Sequence, residues 1–399
     1  MDNLGIGHLL KEVTMQPPLL KYSKPKLGNH RKRSKLGEGE MELAKVFHMN
    51  GGTGDASYAK NSLLQQKGIL MTKKITDEAI TALYRSHSPE TICIADIGCS
   101  SGPNTFLGVT GLIKTIHQEC KSNGHQSPEF HVFLNDLPSN DFNSVFRSLP
   151  AFHEDLKKQN MGGEGFDPPS CFVAGVAGSF YNRIFPSKSL HFVLSSNSLH
   201  WLSQVPDGIE NNNGNIYATN TSPPNLLKAY YEQYERDFVI FLKYRSDELV
   251  KGGRMVLTMA GRKNEERSFN EGSRYLLEPL VRALKDMVAE GSIEEEKVNS
   301  FNIAAYCPCP AEVMYIVDKE GSFTIDVLET LEFHMDASDG NYNMVQGLRA
   351  FVEPLLISHF GDDELINQVF HKCRDIFVNC MPKGKIMFTS VIVSLTKKN

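Results

Sequence analysis

The sequence lacks long apolar runs, C-x-x-C cysteine pairs and a strong excess of positive charge. No apolar segment in the 399 residues approaches the roughly 18 residues of a membrane span. The net charge of −5 excludes broad electrostatic attraction to nucleic acid. The eight cysteines include no C-x-x-C pair, so we expect structural thiols in a reducing compartment and not disulfides or zinc. What remains is the composition of a soluble globular protein.

The glycine-rich turn at residues 96–104 (DIGCSSGPN) also lacks features of the common nucleotide-binding loops. It follows a short apolar run and precedes the apolar-periodic segment Phe106–Ile116, an order that predicts strand, tight turn and helix. Its glycines are Gly98 and Gly102, with no third glycine for a dinucleotide fingerprint and no lysine for a P-loop. The remaining form, D-x-G-x-x-x-G, is typical of S-adenosylmethionine sites. An ordinary strand-to-helix turn is the alternative.

A second acidic residue supports the interpretation that the turn binds a nucleoside-like ligand such as S-adenosylmethionine. The apolar run His131–Leu134 ends in Asn135 and Asp136, and a carboxylate at the end of the next strand is where a ribose diol would bind. The gap from Asp96 exceeds the roughly 20 residues of a compact nucleotide-binding unit, but the extra residues, 121–128, are polar and indicate an exposed loop. We therefore expect a nucleoside-like ligand above the carboxyl ends of a parallel sheet.

The apolar pattern predicts an α/β protein with about seven strands. Strands and helices alternate to about residue 260, which favours a doubly wound parallel sheet. We expect a core of residues 41–260 and 381–399, and a mostly helical cap of residues 261–380 interrupted by a strand near 322–332. The predicted strands are 92–95, 131–134, 170–176, 190–196, 254–259, 322–332 and 385–395. The predicted later helices are 226–249, 275–290, 310–319, 344–359 and 363–380.

Residues 1–40 differ in composition from the rest. They contain eight Lys or Arg and four acids, and no apolar region typical of a signal peptide. We expect a disordered basic extension, with Met41 as an alternative start. A transit peptide is the other interpretation, although Asp2 and Glu12 argue mildly against it.

Five ordered motifs resemble the plant SABATH family of carboxyl methyltransferases. The resemblance runs from Met41 to about Leu395. The motifs are HMNGG with SYAKNS (48–62), DIGCSSGPN (96–104), FLNDLPSND (133–141), GSFY (178–181) and SLHWLSQVP (198–206). The family methylates salicylate, benzoate, jasmonate and, in one branch, xanthine alkaloids. The resemblance implies a Rossmann-like class I methyltransferase sheet with a helical cap that forms the acceptor pocket.

The resemblance also implies site residues. S-adenosylmethionine would be bound by Tyr58, Ser62, Asp96, Cys99, Asn104, Asp136, Leu137, Ser179, Phe180 and Ser196. The acceptor would be bound by Gln65, Asn197, His200, Trp201, Leu277, Tyr306, Leu348, Phe351 and Phe388. Several of these side chains, Phe180 and the single Trp201 among them, could instead be core residues.

A carboxylate acceptor needs little chemistry from the protein. The sulfonium is a good electrophile and the carboxylate is ionised at neutral pH, so positioning can supply roughly 7–11 kcal/mol of the barrier without a general base. We hypothesise that Gln65 and the Trp201 indole N–H each donate a hydrogen bond to the carboxylate. His200 is either a third donor or a structural histidine, and it would matter more for an N–H acceptor.

The acceptor prediction rests on few positions. His200 resembles jasmonate-type members, and Leu276 and Leu277 stand where salicylate-type members tend to have a tryptophan. We therefore favour jasmonate as the acceptor, with salicylate or benzoate second and a xanthine third. A dehydrogenase and a non-catalytic small-acid binding protein are rival classes, of which the missing third glycine disfavours the first.

The remaining expectations concern a metal, assembly and location. Some family members have a magnesium site near the cap, and the matching residues are Asn212, Asn299, Phe301 and Asn302. Asn299 stands where the family often has Asp, which weakens a site for a hard cation. We expect a cytoplasmic homodimer that binds a small carboxylic acid, with no nucleic-acid or membrane partner.

Overall fold

The apolar runs form one seven-stranded sheet. The computed structural model describes residues 43–159, 169–209, 212, 214–265, 269–336, 344–381 and 384–398, so the basic segment 1–40 lies outside the described residues. The strand order is β3-β2-β1-β4-β5-β7-β6. The strands are β1 Thr91–Ile97, β2 Glu129–Asp136, β3 Cys171–Ala177, β4 Leu190–Ser196, β5 Leu249–Ala260, β6 Phe323–Asp336 and β7 Lys385–Lys397. The predicted α/β class and strand number are confirmed.

The strand order reverses at the centre of the sheet. From β1 the chain adds β2 and β3 on one side and later β4 and β5 on the other, all parallel. β7 is antiparallel to β5. The central strands are buried on both faces, which explains their continuous apolar sequences. In such sheets the crevice for ligands lies outside the carboxyl ends of the strands at the reversal, here β1 and β4.

The helices that have both ends within the described residues surround the sheet and build the cap. They are α1 Tyr58–Asn61, α2 Leu63–His87, α3 Asn104–Ser122, α4 Phe142–Gln159, α5 Pro224–Glu248, α6 Glu271–Ala289, α7 Glu295–Ser300, α8 Pro310–Glu320, α9 Met344–Phe360 and α10 Asp363–Cys380. α3 follows the glycine-rich turn, and Pro103 takes its N-cap position, where a proline costs little. The long α2 and α4 were not predicted.

The segment expected to form the cap contains part of the sheet. β6 pairs with β7 from Phe323 opposite Lys397 to Asp336 opposite Lys385, and therefore forms an edge of the main sheet. α8 packs against α5 and β6. The helices α6, α9 and α10 pack on one another around a separate apolar cluster that includes Leu280, Val352 and Phe370. The cap is thus assembled from two stretches of chain, one on each side of β6.

Candidate active site

The glycine-rich turn is shaped by two close backbone approaches. Gly98 has φ +72°, and a Cβ there would lie 2.2 Å from Ser198 Oγ. Gly102 has φ +109°, and a Cβ there would lie 2.7 Å from Ala59 Cα. The N–H groups of Gly98 and Cys99 both donate to the carbonyl of Asn135 at 2.9 Å. The turn after β1 is therefore held against the end of β2, and only glycine fits its two tightest points.

Two buried carboxyl groups lie at this edge of the sheet. Asp136 accepts hydrogen bonds from the N–H groups of Ser100 and Leu137, each at 2.7 Å. Burial raises the pKa of Asp136 to about 6, against the opposing effect of those two bonds. Burial and the neighbouring Asp136 raise the pKa of Asp96 to about 8. A cationic ligand would stabilise both groups in the ionised form, which fits a sulfonium nucleoside.

A cavity of about 740 Å³ opens above these groups and is called the cofactor cavity here. Six of the predicted cofactor residues line it, namely Tyr58, Asp136, Leu137, Ser179, Phe180 and Ser196. The hydroxyl oxygens of Ser100 and Ser101 in the adjacent turn are buried and have no protein partner. Unpartnered buried hydroxyls next to a cavity are available to a ligand, so the residues present fit a nucleoside cofactor.

The other four predicted cofactor residues lie behind the wall. Asn104 Nδ2 donates to Ser62 O and to Ser62 Oγ, each at 2.9 Å, and so ties the start of α3 to the start of α2. Asp96 and Cys99 are buried beneath the turn. These side chains therefore support the cavity instead of lining it.

Sequence reasoning missed part of the cofactor wall. Phe47, His48, Ser198 and Ser203 also line the cavity. Phe47 and His48 precede α1, and Ser198 and Ser203 follow β4. The HMNGG and SLHWLSQVP motifs pointed to both segments, but neither motif indicates which side chains face the ligand.

A second cavity of about 900 Å³, called the acceptor cavity here, lies under the cap. Seven predicted acceptor residues line it, namely Gln65, Asn197, His200, Trp201, Leu277, Phe351 and Phe388. Six of its side chains are aromatic, counting Tyr58, Trp201, Phe269, Phe333, Phe351 and Phe388. None of the described lining residues is Lys, Arg, Asp or Glu. The cavity therefore offers an apolar space with largely aromatic walls and a few neutral polar groups.

Those polar groups have atoms left free for a ligand. Gln65 Oε1, Asn197 Nδ2 and His200 Nδ1 are buried without a hydrogen-bond partner. Burial lowers the pKa of His200 to about 4, so its ring is neutral at pH 7. A neutral imidazole with so low a pKa is a weak base. It can still donate one hydrogen bond.

The two cavities share one wall. Met49, Tyr58, Asn197 and Trp201 line both of them. The Trp201 ring is packed between Phe47, at 4.6 Å between centroids, and Phe351, at 5.9 Å. These four side chains therefore mark where a group in the cofactor cavity and a group in the acceptor cavity come closest to each other.

Two predicted acceptor residues do not reach the cavity. Side chains alternate along residues 303–307: Ile303, Ala305 and Cys307 line the cavity, while Ala304 and Tyr306 belong to the core. Leu348 lies on the face of α9 that packs with Val352 in the cap core. Both side chains are 1% exposed, and both predictions of cavity contact need this correction.

The predicted magnesium residues do not fit a hard cation. The side chain of Asn212 is fully engaged, because Nδ2 donates to Tyr217 O at 2.8 Å and Oδ1 accepts from Ser222 at 2.6 Å. Phe301 packs against His359 and Phe360. Asn299 and Asn302 bring no carboxylate. Within the described residues no group of three or more His, Cys, Asp or Glu side chains could hold a metal.

The sheet order, the glycine turn between two acids and the adjoining apolar cavity define a Rossmann-like class I methyltransferase. A sequence profile of SAM-dependent carboxyl methyltransferases matches residues 44–398. The chain therefore belongs to this family, and its resemblance to SABATH enzymes is confirmed. It is an S-adenosylmethionine-dependent enzyme of the carboxyl methyltransferase class.

Individual relatives carry different acceptor names. The benzoic acid/salicylic acid carboxyl methyltransferase 2 of Petunia hybrida is 59% identical over 363 residues, covering 90% of this chain and 100% of the relative. Jasmonate O-methyltransferase of Arabidopsis thaliana is 42% identical over 388 residues, covering 88% and 99%. The structure of loganic acid methyltransferase with SAH matches with a TM-score of 0.74 at 32% identity, covering 88% of this chain and 99% of that one.

Proposed function

We propose that this enzyme forms the methyl ester of a small aromatic carboxylic acid of the benzoate or salicylate type. The observation that carries the proposal is the acceptor cavity, whose walls include six aromatic side chains and no charged residue. A flat ring fits between such side chains, and a carboxylate fits the neutral polar groups at the shared wall. The 59% identity to a benzoic/salicylic enzyme, against 42% to a jasmonate enzyme, supports the same choice.

A benzoate- or salicylate-type acceptor differs from jasmonate, the acceptor favoured by the sequence motifs alone. That preference rested on His200, Leu276 and Leu277, and all three line the cavity. It did not count Phe269 and Phe333, which come from distant parts of the chain and add two aromatic walls. Jasmonate remains the second candidate because of His200 and the two leucines.

The mechanism we propose is positioning of the acceptor carboxylate. S-adenosylmethionine, when bound, supplies an electrophilic methyl group. Gln65, which lines the cavity, would donate through its amide Nε2, and Trp201 would donate through its indole Nε1. The two hydrogen bonds would orient one carboxylate oxygen toward the cofactor cavity, and the aromatic walls would exclude water. Because the carboxylate is already ionised at pH 7, no side chain has to accept a proton. His200 is neutral and acts as an additional donor.

The cofactor-binding roles are proposed on the same basis. Asp136 would bind the ribose diol, and Ser179 and Phe180 would flank the adenine. Asp96, beneath the turn, would stabilise the positive charge of the sulfonium. Tyr58 lies between both ligands, since it lines both cavities. Ser62, Cys99 and Asn104 would act by holding the turn and α2 in place.

Steady-state kinetics with a panel of acceptors tests the proposal. We expect kcat/KM for benzoate or salicylate to exceed that for jasmonate by at least roughly tenfold, since small differences in an apolar pocket are worth ~1–3 kcal/mol. Theobromine-type xanthines should give no detectable product. A higher kcat/KM for jasmonate would overturn the aromatic assignment. Tight binding of acids without any ester formed would instead indicate a non-catalytic binding protein.

Assembly and location stay predictions. We propose a homodimer, which sedimentation analysis would test, and a cytoplasmic location, which imaging of a fluorescent fusion would test. None of the helices in the described part of the chain is both long and apolar enough to cross a bilayer.

A further inference from the structure

Two buried arginine–glutamate pairs lie behind the walls of the two cavities, outside the set of residues that face either ligand. The pair Arg245–Glu248 is 0% exposed on both sides. The pair Arg262–Glu312 is 3% and 10% exposed. Buried ion pairs contribute little net stability by themselves, so their other contacts are informative.

The first pair holds the loop on the adenine side of the cofactor cavity. Arg245 donates to Glu248 through Nε at 2.6 Å and Nη2 at 2.8 Å. The same guanidinium donates to the backbone carbonyls of Phe180 at 2.8 Å and Asn182 at 3.0 Å. Glu248 in turn accepts from the N–H groups of Ile184 at 2.8 Å and Phe185 at 3.0 Å.

The pair therefore fixes both ends of one short loop. Four backbone groups between residues 180 and 185 depend on it. Ser179, Phe180 and Tyr181, at the start of the loop, line the cofactor cavity. Neither Arg245 nor Glu248 lines that cavity itself.

The second pair holds the segment of residues 303–309, part of which lines the acceptor cavity. Arg262 donates to Glu312 at 2.8 Å, to the Tyr306 hydroxyl at 3.1 Å and to the carbonyl of Cys307. Glu312 also accepts from the Tyr306 hydroxyl at 2.8 Å and from the Cys309 N–H at 3.1 Å. The inward-pointing Tyr306 thus anchors the segment whose alternate residues, Ile303, Ala305 and Cys307, form the cavity wall.

We propose that these two pairs are positioning residues, with Arg245–Glu248 setting the affinity for the cofactor and Arg262–Glu312 setting the affinity for the acceptor. Only the role of Arg262–Glu312 rests on the proposed function, because it needs an acceptor in the acceptor cavity. Each pair acts through backbone groups of its own wall, and the two sets of contacts have no residue in common.

Matched lysine variants test the proposal. Arg245→Lys and Arg262→Lys keep a positive charge beside the glutamate, but one ammonium cannot reproduce the planar fork that reaches a carboxylate and two further oxygens together. We expect Arg245→Lys to raise the dissociation constant of S-adenosylhomocysteine roughly tenfold and to change the acceptor KM by less than about twofold. Arg262→Lys should raise the acceptor KM roughly tenfold and change the dissociation constant of S-adenosylhomocysteine by less than about twofold. The acceptor in this measurement is the acid that has the highest kcat/KM in the panel.

The measurements separate a positioning role from a merely structural one. The proposal would be overturned if both variants lost thermal stability equally while the S-adenosylhomocysteine dissociation constant and the acceptor KM stayed unchanged. It would also be overturned if each variant changed the dissociation constant and the KM by the same factor. Glu248→Gln and Glu312→Gln are interpreted by the same criteria should a lysine variant not fold. Calorimetry with S-adenosylhomocysteine needs no acceptor, so the Arg245 result stands even where the choice of acceptor fails.

Discussion

The cofactor cavity and the acceptor cavity are adjacent but are built in different ways. The cofactor cavity is formed mainly where strands end: the turn after β1, Asp136 at the end of β2, the loop after β3 and Ser196–Ser198 at the end of β4. Backbone groups and a few short motifs shape it. The acceptor cavity is formed by side chains from α2, β5, α6, β6, α9 and β7 and from the loops between them. The first is fixed by local geometry, and the second depends on how the cap packs on the sheet.

The largest effect should come from the glycine turn. Gly98→Ala would place a Cβ 2.2 Å from Ser198 Oγ at φ +72°, and we expect at least roughly 100-fold weaker S-adenosylhomocysteine binding by calorimetry, through combined clash and backbone strain. Gly124→Ala is the matched control, since φ there is +70° with nothing within 4 Å of the new Cβ. Equal behaviour of the two variants would mean that the close approach at Gly98 is not what shapes the cavity.

The two cavities should also differ in their response to pH. The positive charge of S-adenosylmethionine favours the ionised form of Asp96, so binding weakens as the pH falls below the pKa of this group. The pKa of about 8 for Asp96 in the free enzyme predicts about 50-fold weaker cofactor binding at pH 6 than at pH 8. The acceptor KM should change little over this range, since the pKa of His200 is about 4. Asp96→Asn should flatten the cofactor profile. A flat profile in the unmodified enzyme would contradict the role given to Asp96.

The same group predicts the pH dependence of stability. The folded-state pKa of Asp96 is raised, so its stabilising contribution is fully present below the unfolded value of 3.8 and is lost as pH rises toward 8. Without ligand, the melting temperature should therefore fall from pH 5 to pH 8 more steeply than in Asp96→Asn. Thermal melts of both proteins at matched ionic strength check this sign.

A smaller effect should follow from removing one donor in the acceptor cavity. Gln65→Leu keeps much of the side-chain volume and removes the amide. We expect kcat/KM for the acceptor to fall roughly 10- to 30-fold, the lower part of the effect of a hydrogen bond to a charged group. Gln66→Leu, on the same helix but lining neither cavity, should have little effect. Steady-state kinetics with saturating cofactor distinguishes them.

The smallest effect should be on selectivity among acids. Phe333→Leu removes one aromatic wall, and we expect the preference for salicylate over jasmonate to fall about fivefold, or about 1 kcal/mol. Phe377→Leu is the control, because Phe377 packs in the cap but lines neither cavity. An unchanged ratio for Phe333→Leu would show that the aromatic walls do not select the acid.

The contrast between the cavities also explains what could be predicted from the sequence. The strand at Leu190–Ser196 and the helix at Asp363–Cys380 have the bounds expected from their apolar patterns. The helix α2 was missed because its buried face is made of residues such as Gly68, Thr72 and Thr76, which carry little hydrophobic signal. Close packing of small residues is visible only once the partner is in place.

The same reason applies to the site. Asp136 could be placed because a strand end has a fixed direction in a parallel sheet. The prediction for Tyr306 was wrong because cavity-lining and core side chains alternate in a segment outside the sheet, and no local pattern shows which side chains face the cavity. Phe269 and Phe333 reach the acceptor cavity from segments more than 60 residues apart, which no local pattern connects. The acceptor is therefore best inferred from the folded cavity.

The most direct test of the account is single-turnover methyl transfer by Trp201→Phe, since Trp201 lines both cavities and is proposed to orient the carboxylate. The substitution keeps an aromatic ring and removes the N–H donor. We expect the transfer rate at saturating acceptor to fall at least roughly tenfold, with S-adenosylmethionine affinity unchanged within about twofold. An unchanged transfer rate would contradict the proposed orientation of the acceptor at the shared wall.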